Sequence, residues 1–165
     1  MTQETPSQPK LPPTSAIDKL TKTEFDTWFE YPIRVQPHHT DYAGITWHGT
    51  YLTWMEAARV ECLRSIGIDF ADLVALGCDL PVVELSVRYH RALQLGMMAV
   101  VKTRMLEVTG VRMNWDYKIV SADEQELYVS AQVTLVALDR ERGKIMRQLP
   151  PAMKDALAKI SASYK

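Results

Sequence analysis

A chain of 165 residues that is 47% hydrophobic has enough apolar material for one globular domain with a real core, and too little length for two ordinary ones. Its 19 basic and 20 acidic residues nearly cancel and form no basic run, so nothing in the charge points to nucleic acid or to an anionic membrane as a partner. Cys62 and Cys78 have neither CxxC spacing nor a Cys/His cluster, which gives no zinc ligand set and predicts a reduced pair in a cytoplasmic protein. No apolar run approaches the roughly 20 residues of a membrane-spanning helix.

Residues 1–14 are proline-rich and nearly devoid of large apolar side chains, so they have little to bury and are expected to form a disordered tail reaching to about residue 20. A single domain is expected over residues 21–149. Near its start, Ile17, Leu20, Phe25, Trp28 and Phe29 are spaced in a way that suits a short helix or a docked arm equally. From Glu30 to Gln36, Tyr31, Ile33 and Val35 alternate with Pro32, Arg34 and Gln36, the period of a strand with one buried face. Pro37 ends that strand and opens a loop in which Gly44 suits a backbone conformation, or a close approach, that a Cβ would obstruct.

Residues 51–66 are predicted as a helix, with Leu52, Met55, Cys62, Leu63 and Ile66 on one side. Trp54, Ala57, Ala58 and Val60 make most of the rest apolar too, so this helix should be buried on more than one side. Gly67 stops it, and Asp69 caps a shorter helix that runs to about Leu76 and closes at Gly77. From there the period shifts to two. Val83, Leu85, Val87 and Tyr89 form one alternating run, Ala99, Val101, Thr103 and Met105 a second, and Met113, Trp115, Tyr117 and Ile119 a third. The fourth is Leu127, Val129, Ala131, Val133, Leu135 and Ala137, and turn residues around Gly96, Gly110 and Asp123 join the runs into antiparallel strands.

One early strand, a buried helix and four long strands predict an α+β fold in which a curled antiparallel sheet wraps the helix. A sheet face left bare calls for another copy of the chain, so a dimer or larger assembly is expected. After Pro150 and Pro151, residues 150–165 are expected to add a C-terminal helix on the outside of the domain.

The chemistry is sought in the stretch His39–Tyr51, a loop aimed at a helix start. The first amides of a helix lack internal acceptors and carry the positive end of its dipole, so they can hold an oxygen that gains negative charge during a reaction. Asp41 would supply the nucleophile or base, although a lone carboxylate in such a loop is ordinarily a turn residue or a cap. The His48 side chain reads as an acid or base, as a hydrogen-bond partner for the substrate, or as a residue that merely caps or packs at the helix start; Trp47 and Tyr51 are pocket walls or packing residues. Glu56 and Arg59 are expected to pair along the helix. His38 and His39 have no third partner at metal spacing, and Arg88, Arg91, Arg104 and Arg112 read as solvated strand faces. Neither GxGxxG nor GxxxxGK[ST] is present, so no phosphate loop is expected.

The run Asp41-Tyr42-Ala43-Gly44-Ile45-Thr46-Trp47-His48-Gly49-Thr50-Tyr51 resembles the D-x-x-G-[IV]-[VT]-[WYF]-[HYF]-x-x-Y signature of the 4-hydroxybenzoyl-CoA thioesterase family of hot dog fold proteins. Tyr51-Leu52-Thr53-Trp54-Met55-Glu56-Ala57-Ala58-Arg59-Val60-Glu61 is similar to the family's Y-x-x-[WYF]-x-[ED]-x-A-R-x-E, and the order of later elements extends the resemblance over about residues 30–140. It implies dimers, often paired into tetramers, with active sites at the subunit interface. It also implies hydrolysis of an acyl-CoA thioester to free acid and coenzyme A, with no metal or separate cofactor. In the family the residue matching Asp41 acts as nucleophile or as base for water, and the amide at the position of His48 holds the oxyanion. Members carry His or an aromatic residue there, which favours a backbone role. Gly44, structural in either reading, Trp47 and Tyr51 are the candidates to shape the substrate site, and Arg112 falls where members often carry a basic residue near the nucleotide. Aromatic acyl groups such as 4-hydroxybenzoyl or 1,4-dihydroxy-2-naphthoyl, short or branched aliphatic ones, and acyl carrier protein thioesters all fit the resemblance. Its rivals are a dehydratase or hydratase of the same fold and a noncatalytic acyl-CoA or acyl carrier protein binding protein.

Overall fold

In the computed structural model, which describes residues 27–106 and 108–163, the elements run β1 (Phe29–Arg34), α1 (Thr50–Ser65), α2 (Phe70–Ala75), β2 (Cys78–Asp79), β3 (Val82–Tyr89), β4 (Met98–Met105), β5 (Arg112–Ser121), β6 (Leu127–Val136), β7 (Leu138–Asp139), β8 (Lys144–Ile145) and α3 (Pro151–Ser163). The expectations for residues 1–20, and for Ile17, Leu20 and Phe25, lie outside the described residues. Five strands pair antiparallel in the order β1-β4-β5-β6-β3, and β2, β7 and β8 form a separate small sheet.

The two-residue periods decide which side chains meet α1. Ala99, Val101, Thr103 and Met105 of β4 are buried beside Met113, Trp115, Tyr117 and Ile119 of β5 and Val129, Ala131, Val133 and Leu135 of β6. Against that face α1 buries Tyr51, Trp54, Met55, Ala58, Cys62 and Leu63, so this helix and the curled sheet form the centre of the main core. This is the α+β hot dog architecture expected from the sequence.

Three details depart from the reading of the sequence. Leu127 is 37% exposed, because the pairing slips between Ile119 and Val120, which stand across from Val129 and Leu127; the extra residue, Tyr128, turns Leu127 off the core face. The helix after Pro151 does not merely lie outside: Met153, Leu157 and Ile160 stand one helical stripe apart and are buried in the main core. Strand β3 forms where predicted, but its burial does not alternate: Val83, Leu85 and Tyr89 are exposed by 48%, 44% and 46%. It is the sheet's edge strand, and α1 packs over β4 and β1 at the other side.

Candidate active site

The loop after β1 is built from its own hydrogen bonds. Asp41 and Ile45 are joined by the Asp41 amide on the Ile45 carbonyl at 2.8 Å, and the Gly44 amide donates to the Asp41 carbonyl at 3.1 Å. The Asp41 carboxylate accepts from the amides of Ala43 at 2.8 Å and Ile45 at 3.3 Å, both on Oδ1. Gly44 is required by conformation and not by space: its φ is +73°, and a Cβ there would meet nothing within 4 Å. The chain is then tied down on two sides, with the Thr46 amide on Leu93 O at 2.8 Å and the Trp47 amide on His39 O at 2.9 Å.

The loop delivers the chain to the start of α1 without a cap. Gly49 sits at the N-cap position, where no side chain accepts a hydrogen bond, and among the described residues the amides of His48 and Gly49 have no acceptor. Two open N–H groups at the positive end of a 16-residue helix are suited to an oxygen that becomes negative. The His48 carbonyl, in contrast, is occupied: the Tyr89 hydroxyl donates to it at 2.9 Å. Trp47 folds its half-exposed indole back over Gly49, where an added Cβ would lie 2.2 Å from the ring, so any side chain at 49 has to displace the indole.

Beside this helix start lies a chamber of about 250 Å³ lined by Thr46, His48, Tyr51, Tyr89, His90, Arg91 and Ala92. Tyr51 is buried, and its hydroxyl accepts the Leu93 amide at 3.1 Å, which joins α1 to the connection between β3 and β4. Burial, helped by Tyr51, pushes the Tyr89 phenol above its ordinary range. Arg91 forms an ion pair with Glu126 at the rim. A groove of about 480 Å³ opens on the outer face of the sheet, where Trp28 covers Arg104 and Lys118; it has no part of the helix start in its lining.

His48 and Tyr51 are thus brought together, with Trp47 and Gly44 in the adjoining loop. Asp41 is exposed and does not line the chamber of its own chain. Arg112 stands seven residues along β5 from Ile119, whose neighbour Val129 is opposite Tyr89, which puts it roughly 23 Å from that end of the sheet. Glu56 and Arg59 do not pair: Glu56 is exposed, whereas Arg59 turns inward and donates to the Tyr117 hydroxyl at 3.0 Å. The rings of His38 and His39 meet at a tilt of 56°, and among the described residues no group of three metal-ligating side chains converges. Tyr89, placed by the sequence only in a strand, and the Leu93 amide were not singled out for the site, since nothing local marks a residue that reaches a loop some forty positions away; Thr46 stood in the signature without a role of its own.

A buried helix wrapped by a curled sheet, with open amides at its start and a small chamber beside them, places the chain among the hot dog fold proteins. Residues 43–128 match the Thioesterase superfamily. Over 159 residues the chain is 54% identical to the Synechocystis sp. protein sll0410, provisionally named an esterase, covering 93% of this chain and 96% of that one. It is 30% identical over 127 residues to the acyl-CoA thioester hydrolase YbgC of Escherichia coli O6:H1, covering 77% and 93% of the two chains. The crystal structure of DHNA-CoA thioesterase from Staphylococcus aureus superposes with a TM-score of 0.74 at 26% identity, covering 82% of this chain and 91% of that one. The chain belongs to the thioesterase superfamily.

Proposed function

We propose that the chain hydrolyses acyl-coenzyme A thioesters, releasing a free acid and coenzyme A. The observation that carries this reading is the pair of open amides, His48 and Gly49, at the uncapped start of a buried helix. A thioester oxygen placed there gains negative charge as the carbonyl carbon turns tetrahedral, and fixed donors aimed at that position favour the charged state over the ground state. Asp41 serves as nucleophile, giving a mixed anhydride that water then opens, or as the base that takes a proton from the attacking water. Either route expels a thiolate, a weak enough base to depart without a strong acid to protonate it. No further cofactor enters the scheme, coenzyme A being part of the substrate.

A second copy of the chain is part of the proposal. Tyr42, Trp47, Val83, Leu85 and Tyr89 expose apolar surface along the loop and the unpaired edge of β3, a combination that a partner's edge would cover. In a homodimer, or a tetramer of two such dimers, that partner would close the chamber and give Asp41 an enclosed setting. The chamber's 250 Å³ lies below the usual range for ligand pockets, which supports a short, branched or single-ring acyl group such as 4-hydroxybenzoyl over long chains; 1,4-dihydroxy-2-naphthoyl would need space from the partner. The YbgC and DHNA-CoA thioesterase relatives favour a coenzyme A thioester as the substrate.

The rival is a noncatalytic binder of acyl-CoA or acyl carrier protein, and the observation on its side is that Asp41 already holds its own loop together. Free-thiol release from a panel of acyl-CoAs separates the two. Asp41→Asn keeps an oxygen for the Ala43 and Ile45 amides while removing the charge, so it should fold like the wild type and lose about 100-fold or more in kcat. Equal thiol release by both proteins removes Asp41 from the mechanism, and no release from any substrate by the wild type favours the binder.

A further inference from the structure

Trp47, His48, Gly49 and Thr50 form a β-turn closed by the Thr50 amide on the Trp47 carbonyl at 2.9 Å. Gly49, at φ −75° and ψ −23°, makes it a turn of type I. A glycine in this third place equally allows type II, which needs φ near about +80° there. The exchange rotates only the central peptide, through ψ of His48 and φ of Gly49. Both ends stay put, with Thr50 on the Trp47 carbonyl and the Leu52 amide on the Gly49 carbonyl at 3.1 Å.

The consequence for the site is large. In the right-handed conformation successive N–H groups run parallel, as at any helix start, so the amides of His48 and Gly49 face the same way. A type II turn would invert the second of them and set the His48 carbonyl oxygen beside the His48 amide, where it would repel an oxyanion. Among the described residues, the Tyr89 hydroxyl is the one group that bonds the His48 carbonyl. Tyr89 is itself held: it closes β3 opposite Val129, and its ring packs against Tyr51 at 5.5 Å.

We propose that Tyr89 is a positioning residue whose hydroxyl latches the His48–Gly49 peptide, keeping two parallel amides available to the substrate oxygen and the intervening carbonyl turned away. This rests on the hydrolase reading, and the test separates the two. Tyr89→Phe removes one oxygen from a half-exposed ring, so the fold is kept. Its kcat on a short acyl-CoA is expected to fall about tenfold, the worth of one hydrogen bond, with KM within about twofold of the wild type. A crystal structure of the variant should show the central peptide inverted or divided between two orientations. An unchanged kcat, a change confined to KM, or a loss of kcat with the peptide wholly in its wild-type orientation overturns the latch. If the wild type releases thiol from no acyl-CoA, the hydrolase reading falls and the catalytic half of the latch with it, while the peptide orientation in Tyr89→Phe still decides the conformational half.

Discussion

The Arg59 guanidinium, buried midway along α1, donates from Nη1 to the phenol oxygen of Tyr117 on β5 at 3.0 Å, and among the described residues no carboxylate forms an ion pair with it. A neutral oxygen is a modest partner for an enclosed cation, so this contact cannot be lost without leaving a charge poorly solvated. Burial pushes the Tyr117 phenol up while Arg59 pulls it down. Tyr117→Phe is expected to cost about 2 kcal/mol in urea unfolding. Arg59→Met should cost less in that background than in the wild type, and a double-mutant cycle without coupling would show that the two residues do not depend on each other.

Thr46 poses the opposite case. It is 5% exposed, and among the described residues its hydroxyl has no hydrogen-bond partner. Thr46→Val keeps the branched shape and the amide bond to Leu93 while removing the stranded oxygen, so it should stabilise the fold by about 1 kcal/mol. Thermal and urea unfolding check this; a destabilised variant would mean that the hydroxyl is satisfied in solution.

Acid should weaken the loop through His39. Burial, with His38 adding to it, holds this imidazole below the ordinary histidine value, and its Nδ1 accepts the Gln36 amide at 2.9 Å, which only the neutral ring can do. Below about pH 6.5 the unfolded chain binds a proton that the folded chain refuses until its own lower pKa is reached. Stability present above that pH is therefore lost as pH falls through the window between the two values. His39→Gln keeps an acceptor without titrating, so the wild type should lose more Tm than the variant on going from about pH 7.5 to about 5; parallel curves would contradict the assignment.

Gly49→Ala tests the packing at the helix start. Alanine accepts the backbone angles of Gly49, but its Cβ would lie 2.2 Å from Cζ3 of Trp47, so the indole must swing outward while α1 survives. The expected result is a red-shifted tryptophan emission that is absent in a Trp47→Phe background, with unfolding within about 1 kcal/mol of the wild type. An unshifted spectrum would show that the ring does not rest on Gly49.

Much of the molecule is local, and that part was readable from the chain. The alternation in β4, β5 and β6, the nearly all-apolar α1, and Asp69, whose side chain caps α2 by accepting the Ala71 amide at 2.9 Å, each express a period or a cap contained in a few neighbouring residues. The loop from Asp41 to Tyr51 was readable for the same reason. What required the tertiary structure was every relation between distant positions: the slip that exposes Leu127, the burial of Met153, Leu157 and Ile160, the inward turn of Arg59, and the approach of Tyr89 and Leu93 to the helix start. Periodicity tells which face of an element is apolar, but not which other element arrives there. A bond such as the one from Tyr89 to His48 depends on how β3 is hung from β6 at the sheet's edge, a placement settled only when the whole sheet closes on the helix.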